Sequence, residues 1–205
     1  MVKYCDENCG NEPAGGSIQE KVWSNQLGFK EILINSEIKE DIIEKAVIQI
    51  FNFNKFDAEQ EKQAPKSAPY VREPITIYLN TPGGYLDEAF SLISAIEASE
   101  TPIVVVALGK VISAGFLILL AGHYRVAQKY TTLMYHQGSA GYAGEFGKHF
   151  EYAEYWKTCQ DKVEKYILKK TKIKKTKLEQ VFKNKTDWYM DADEAKMLGI
   201  VDDII

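Results

Sequence analysis

A serine hydroxyl attacks a carbonyl at neutral pH only when a base takes its proton, a third group holds that base, and amide donors meet the oxyanion that forms. Candidates for each part are spread along this chain. Ser113 stands where a helix opens behind a tight turn, which would expose its hydroxyl and aim unpaired helix amides, that of Ala114 among them, at the same space. Gly83 and Gly84 form a second turn ahead of a helix. Residues without side chains let a peptide carbonyl come close to their amides, so Gly84 is the candidate second donor. His136 closes a strand, and its imidazole could accept the serine proton. Asp187, near the C-terminal end, could accept a hydrogen bond from the other ring nitrogen.

Each residue also has a plainer reading. A serine at a helix start is usually an N-cap, a histidine at a strand end is usually structural, an aspartate can cap a turn, and glycine pairs make turns. His123 and His149 are further imidazoles that could be picked in error. Only the joint order of the set raises it above these readings.

The elements needed to carry those residues are legible as periodicity. Ile38, Ile42, Ile43, Ala46, Val47 and Ile50 form the stripe of a first helix over residues 38–53. Residues 54–73 are rich in charge and alanine, with Pro65 and Pro69 opposing regular structure, and read as an exposed insertion. A strand follows over 75–79, then the glycine turn. A helix opens at Leu86, with Asp87 and Glu88 in its first turn, where the dipole favours carboxylates. The unit repeats: a strand over 103–108, a turn over 109–112, and an apolar helix over 113–121. Such alternation predicts an α/β layer fold with parallel strands and working loops at their carboxyl ends, where Gly84 and Ser113 both fall. Residues 132–135 make a further strand ending at His136. A long amphipathic helix, carrying Phe146, Phe150, Ala153, Trp156, Val163 and Ile167, runs to about residue 169, and its length suggests packing on another subunit.

Composition narrows the class. The chain has 205 residues, 45% hydrophobic and 26% charged, with a formal net charge of -4, as one globular domain would. The apolar stretch 102–122 is broken at Gly109 and Lys110 and reads as a buried strand and helix, not a membrane span. The lysines between Lys162 and Lys185 lack aromatic or arginine interleaving, so a solvated helix face is expected in place of a nucleic-acid site. Residues 1–30 read as an arm or loop with no secretory h-region, which predicts a cytoplasmic protein. The odd set Cys5, Cys9 and Cys159 fits a reducing compartment, and no metal site is expected, since the zinc pair Cys5 and Cys9 would need has no second pair.

Four stretches resemble the Clp protease proteolytic subunit (ClpP) family. NTPGG ending at Gly84 is similar to its oxyanion strand, and GKVISAGFLILLAG around Ser113 to its serine helix. YHQG around His136 is similar to its histidine strand, and DWYMDADEAKMLGIVDDI from Asp187 to its closing segment. The match covers about residues 31–205, expected as a single peptidase domain. The resemblance implies a ClpP/crotonase-type fold of repeated ββα units with a long handle helix. It implies a serine endopeptidase acting on peptides or unfolded protein through an acyl-enzyme, with Ser113, His136 and Asp187 as triad, Gly84 and Ala114 as oxyanion donors, and no cofactor. It further implies a homo-oligomeric ring and an unfoldase ATPase partner. Gly138 stands where the family commonly has proline, and Thr186 where it usually has an arginine used between rings. Tyr78 keeps one aromatic of the ATPase-docking pocket, whereas Thr76 replaces another. Competing readings are a noncatalytic ClpP-like structural or regulatory subunit, a crotonase-type acyl-CoA enzyme that would not need Ser113, and a serine-lysine peptidase using Lys110.

Overall fold

A computed structural model describes residues 30–141 and 143–205; the expected arm, apart from Lys30, lies outside the described residues, as do Cys5 and Cys9. The strands are β1 (Glu31–Ile34), β2 (Ile75–Thr81), β3 (Ile103–Ile112), β4 (Tyr124–Ala127), β5 (Thr132–Tyr135), β6 (Trp188–Met190) and β7 (Asp203–Ile204). The helices are α1 (Glu40–Gln63), α2 (Leu86–Glu97), α3 (Ala114–Leu119), α4 (Phe146–Lys170), α5 (Lys175–Asn184) and α6 (Ala192–Met197).

Strands β1, β2, β3, β4 and β7 pair in that order and run parallel. The expected α/β layering is therefore present, with β1–α1–β2–α2–β3–α3–β4 crossovers carrying the chain between parallel neighbours. β2 shows why. Its sequence ITIYLNT buries every second residue completely, from Ile75 through Ile77 and Leu79 to Thr81, while the residues between are half-buried. Ala89, Leu92, Ile93 and Ile96 of α2 and Ile43, Ala46 and Ile50 of α1 complete the core. Every residue of α3 is buried, so the apolar stretch is a core helix. Among the described residues no helix is long and apolar enough to cross a membrane.

β3 is longer than its sequence pattern predicts. The expected turn over 109–112 is instead a continuation of the strand beyond an irregularity, since Leu79 pairs with Ala107 but Thr81 with Val111. Asn80 holds that irregularity: its side-chain oxygen accepts from the Lys110 amide at 3.0 Å, and its nitrogen donates to Asn35 at 2.6 Å. The strand thereby forks. Its first part pairs with β4 and its last residues, Lys110 to Ile112, with β5.

The first helix also exceeds its expected end. Residues 54–63, read as the start of an irregular insertion, continue α1, and only the stretch from 64 to the start of β2 lacks helix or strand. The apolar stripe does run out near Phe53, but two polar side chains extend the helix by docking it elsewhere. Asn54 accepts from the amides of Glu100 and Thr101 at 2.9 and 3.0 Å. Asp57, completely buried, accepts from Lys30 at 2.6 and 2.8 Å, from Thr101 at 2.6 Å and from Tyr70 at 2.7 Å. Burial by itself would raise the Asp57 pKa, but the Lys30, Thr101 and Tyr70 hydrogen bonds outweigh it and leave the carboxyl below its usual range.

Candidate active site

Ser113 occupies the single residue between β3 and α3, with φ 57° and ψ −118°. Positive φ in a residue with a Cβ is costly and persists only where the surroundings impose it. Here the constraint is visible on both sides. The Ser113 amide donates to the Met134 carbonyl at 2.9 Å, and the Ser113 carbonyl accepts from Phe116 at 3.0 Å, which starts the helix. The position is that of an N-cap, yet the hydroxyl makes no capping hydrogen bond. It lies instead 2.8 Å from His136 Nε2.

His136 follows β5 and Asp187 precedes β6, and these two strands are antiparallel with Tyr135 opposite Trp188. Continuing that register by one residue places His136 beside Asp187, and Nδ1 of the ring lies 3.3 Å from Asp187 Oδ1. Trp188 is fixed by the Lys177 ammonium 4.3 Å over its ring and by its own N–H donating to Glu194 at 3.3 Å. The His136 side chain is 31% exposed and that of Asp187 51%, so the outer end of this chain of groups meets water while the serine end is more enclosed. The three residues singled out in the sequence are thus brought together in the order serine, imidazole, carboxylate.

The two candidate oxyanion donors border the same space. Gly83 has φ 95° and Gly84 φ 154°. The turn is clamped from outside: Ile38 donates to the Gly83 carbonyl at 2.8 Å, and Tyr85 donates to the Ile38 carbonyl at 3.0 Å. A side chain on Gly84 would collide with the Ile38 carbonyl oxygen and lie 2.8 Å from its nitrogen. Among the described residues the amides of Gly84 and Ala114 donate to no protein acceptor, and both residues line the cleft that contains Ser113 and His136. Two unpaired N–H groups beside a hydroxyl hydrogen-bonded to an imidazole can stabilise negative charge on a carbonyl oxygen under attack.

The cleft has a volume of about 560 Å³, and its walls include residues that periodicity alone did not mark as functional. Leu117, Met134 and Val163 make an apolar wall, while Tyr85, Asp87, Tyr152 and Trp156 come from α2 and its approach and from α4. Asp87 had been legible only as a first-turn acid, and Trp156 only as part of a helix stripe. Tyr135, packed 5.8 Å from the Phe116 ring, is pushed up to about 12 by burial and then by Glu164, so it stays a neutral phenol in the wall. Lys110 is exposed and does not line the cleft. Gly138, where the sequence departs from the family pattern, is exposed in the segment without helix or strand after His136, and a side chain there would meet nothing within 4 Å. Among the described residues no three His, Cys, Asp or Glu side chains cluster as metal ligands would.

Residues 15–205 match the family described as Clp protease. ATP-dependent Clp protease proteolytic subunit 2 of Bacillus licheniformis is 25% identical over 196 residues, with 94% of each chain covered. The protein of the same name from Treponema pallidum is 25% identical over 203 residues, covering 98% of this chain and 94% of that one. Among solved structures, a point mutant of ClpP1 from Listeria monocytogenes superposes with a TM-score of 0.71 at 22% identity, over 92% of this chain and 96% of the other, a likeness of fold. Because the family match runs over nearly the whole chain and the fold agrees with it, the chain belongs to the Clp protease family, as a divergent member.

Proposed function

We propose that this chain is a serine endopeptidase that hydrolyses peptide bonds through an acyl-enzyme, with Ser113 as nucleophile, His136 as general base and Asp187 as the group orienting the imidazole. The observation that carries this reading is the 2.8 Å contact of Ser113 Oγ with His136 Nε2, made by a serine held at positive φ. Ser113 Oγ attacks the peptide carbonyl carbon while its proton passes to Nε2. Asp187 stabilises the imidazolium through Nδ1–H, and the carbonyl oxygen, now anionic, accepts from the Gly84 and Ala114 amides. Collapse of the tetrahedral adduct breaks the C–N bond, and the amine leaves with the proton from Nε2. Water, deprotonated by the same nitrogen, then cleaves the ester and restores the serine.

The family gives this chemistry its setting. We extend the proposal to a homo-oligomeric ring fed with unfolded protein by an ATPase in the cytoplasm, since the named relatives are ATP-dependent. Supporting the ring are large apolar side chains on the surface of the described residues: Ile48 and Phe51, neighbours on α1, are 48% and 57% exposed.

Treatment with a fluorophosphonate, followed by mass spectrometry, tests the assignment. The adduct is expected on Ser113, absent in Ser113→Ala and strongly reduced in His136→Ala. An adduct on another residue, or labelling unchanged by loss of His136, would refute it.

A further inference from the structure

Asp87 gives the Ser113 cleft its charge. Among the lining residues it is the carboxylate, and no lysine or arginine accompanies it. It is the second residue of α2, exposed, and one of its oxygens accepts from the Tyr155 hydroxyl at 3.2 Å. Among the described residues no cation pairs with it, and its other oxygen has no partner. Aromatic residues share the cleft. Tyr85 is 63% exposed, and Tyr152 and Trp156 line the cleft with ring centroids 6.1 Å apart. Tyr155 stands 6.2 Å from Trp156 on the same stretch of α4.

A carboxylate with a free oxygen, in a cleft lined by aromatic residues and, among the described residues, by no lysine or arginine, attracts a cation. The ion pair supplies a charge-assisted hydrogen bond, and the ring faces favour the stem and head of a long basic side chain. Leu117, Met134 and Val163 add apolar lining to the same cleft. We propose that Asp87, oriented by Tyr155 and flanked by Tyr85 and Trp156, is a specificity-determining residue that selects peptides bearing a lysine or arginine side chain close to the bond attacked by Ser113. This inference rests on the reading of Ser113 as a peptidase nucleophile. A first-turn acid that only stabilises α2, or a Tyr155 contact that only ties α4 to α2, would change the stability of the protein and the rates on all peptides together, but not the ratio between two of them.

The test compares N-acetylated peptides that differ only by lysine or norleucine at successive positions around the scissile bond. At one position wild type is expected to prefer lysine by about tenfold in kcat/KM, the scale of one charge-assisted hydrogen bond. Asp87→Asn keeps an acceptor for Tyr155 but removes the charge, and should bring that ratio close to one. A ratio near one at every position in wild type, or a lysine preference that survives Asp87→Asn, overturns the proposal. Binding of the same peptides to Ser113→Ala, followed by isothermal titration calorimetry, separates the two readings. Tighter lysine-peptide binding without hydrolysis by wild type would sink the peptidase reading and uphold the role of Asp87. Equal hydrolysis of both peptides would sink the role of Asp87 alone, and neither hydrolysis nor a binding preference would sink both.

Discussion

Gly83 and Ser113 stand back to back: a methyl group added to Gly83 would lie 2.7 Å from Ser113 Cβ and 2.8 Å from the Ile112 carbonyl oxygen. The turn that carries one candidate oxyanion donor is therefore in contact with the residue that carries the nucleophile. Gly83 also holds φ 95°, which strains any other residue.

Gly83→Ala should consequently displace Ser113 without unfolding the chain. A misplacement of about 1 Å in a catalytic site costs on the order of a hundredfold in rate. We expect a loss of fluorophosphonate labelling rate of at least that size, with the far-ultraviolet circular dichroism spectrum retained. Labelling at the wild-type rate would show that the contact does not set the serine geometry.

Asp187→Asn tests the outer end of the triad. The contact with His136 is 3.3 Å long and the Asp187 side chain is half exposed, so water can replace part of what the carboxylate does. Peptide hydrolysis should fall by about a hundredfold or more, yet less than in Ser113→Ala. An unchanged kcat would remove Asp187 from the mechanism.

The buried Lys30–Asp57 pair governs stability, not chemistry. Removing one partner leaves a buried charge unpaired, so Asp57→Ala should cost about 3–5 kcal/mol in chemical denaturation. The pH dependence has a definite sign. The Asp57 carboxyl is held below its unfolded value, so between the two values the unfolded chain binds more protons. The stabilisation is full above the unfolded carboxylate range, near pH 4, and is lost as pH falls through the folded value. Thermal unfolding followed downward from pH 6 should show a steeper loss in wild type than in Asp57→Asn, and parallel curves would contradict this.

Ring assembly makes a prediction about Phe51. A charge placed on an apolar contact between subunits is costly, whereas Phe51 in the single chain is 57% exposed and loses little by substitution. In light scattering, wild type should run as a multimer and Phe51→Glu as a smaller species with its helical content kept. A wild-type monomer with full peptidase activity would end the ring proposal.

Much of the frame was legible in the sequence because its cause is local. Alternation in β2, the stripe of α1 up to Ile50 and the first-turn acids of α2 each depend on neighbours a few residues away. The end of α1 was not legible, because the helix beyond Phe53 is held by Asn54 and Asp57 reaching the backbone of Glu100 and the side chains of Lys30 and Thr101. Nor was the extension of β3, where Asn80 from another strand closes the irregularity at Lys110.

By itself the sequence determined the α/β class, the succession of α1, β2, α2, β3, α3, β5 and α4, and the set of residue types that could do acyl-transfer chemistry: Ser113, His136, Asp187 and the amides of Gly84 and Ala114. Only the tertiary structure decided that these groups meet, and which others share their cleft. The antiparallel register of Tyr135 with Trp188 puts Asp187 at His136, the fork of β3 puts Ser113 at Met134, and a hydrogen bond between α4 and the first turn of α2 sets Tyr155 against Asp87. Period is written in near neighbours, but register between distant strands follows from which pairings bury the most apolar surface and satisfy the backbone, and that is a property of the assembled sheet.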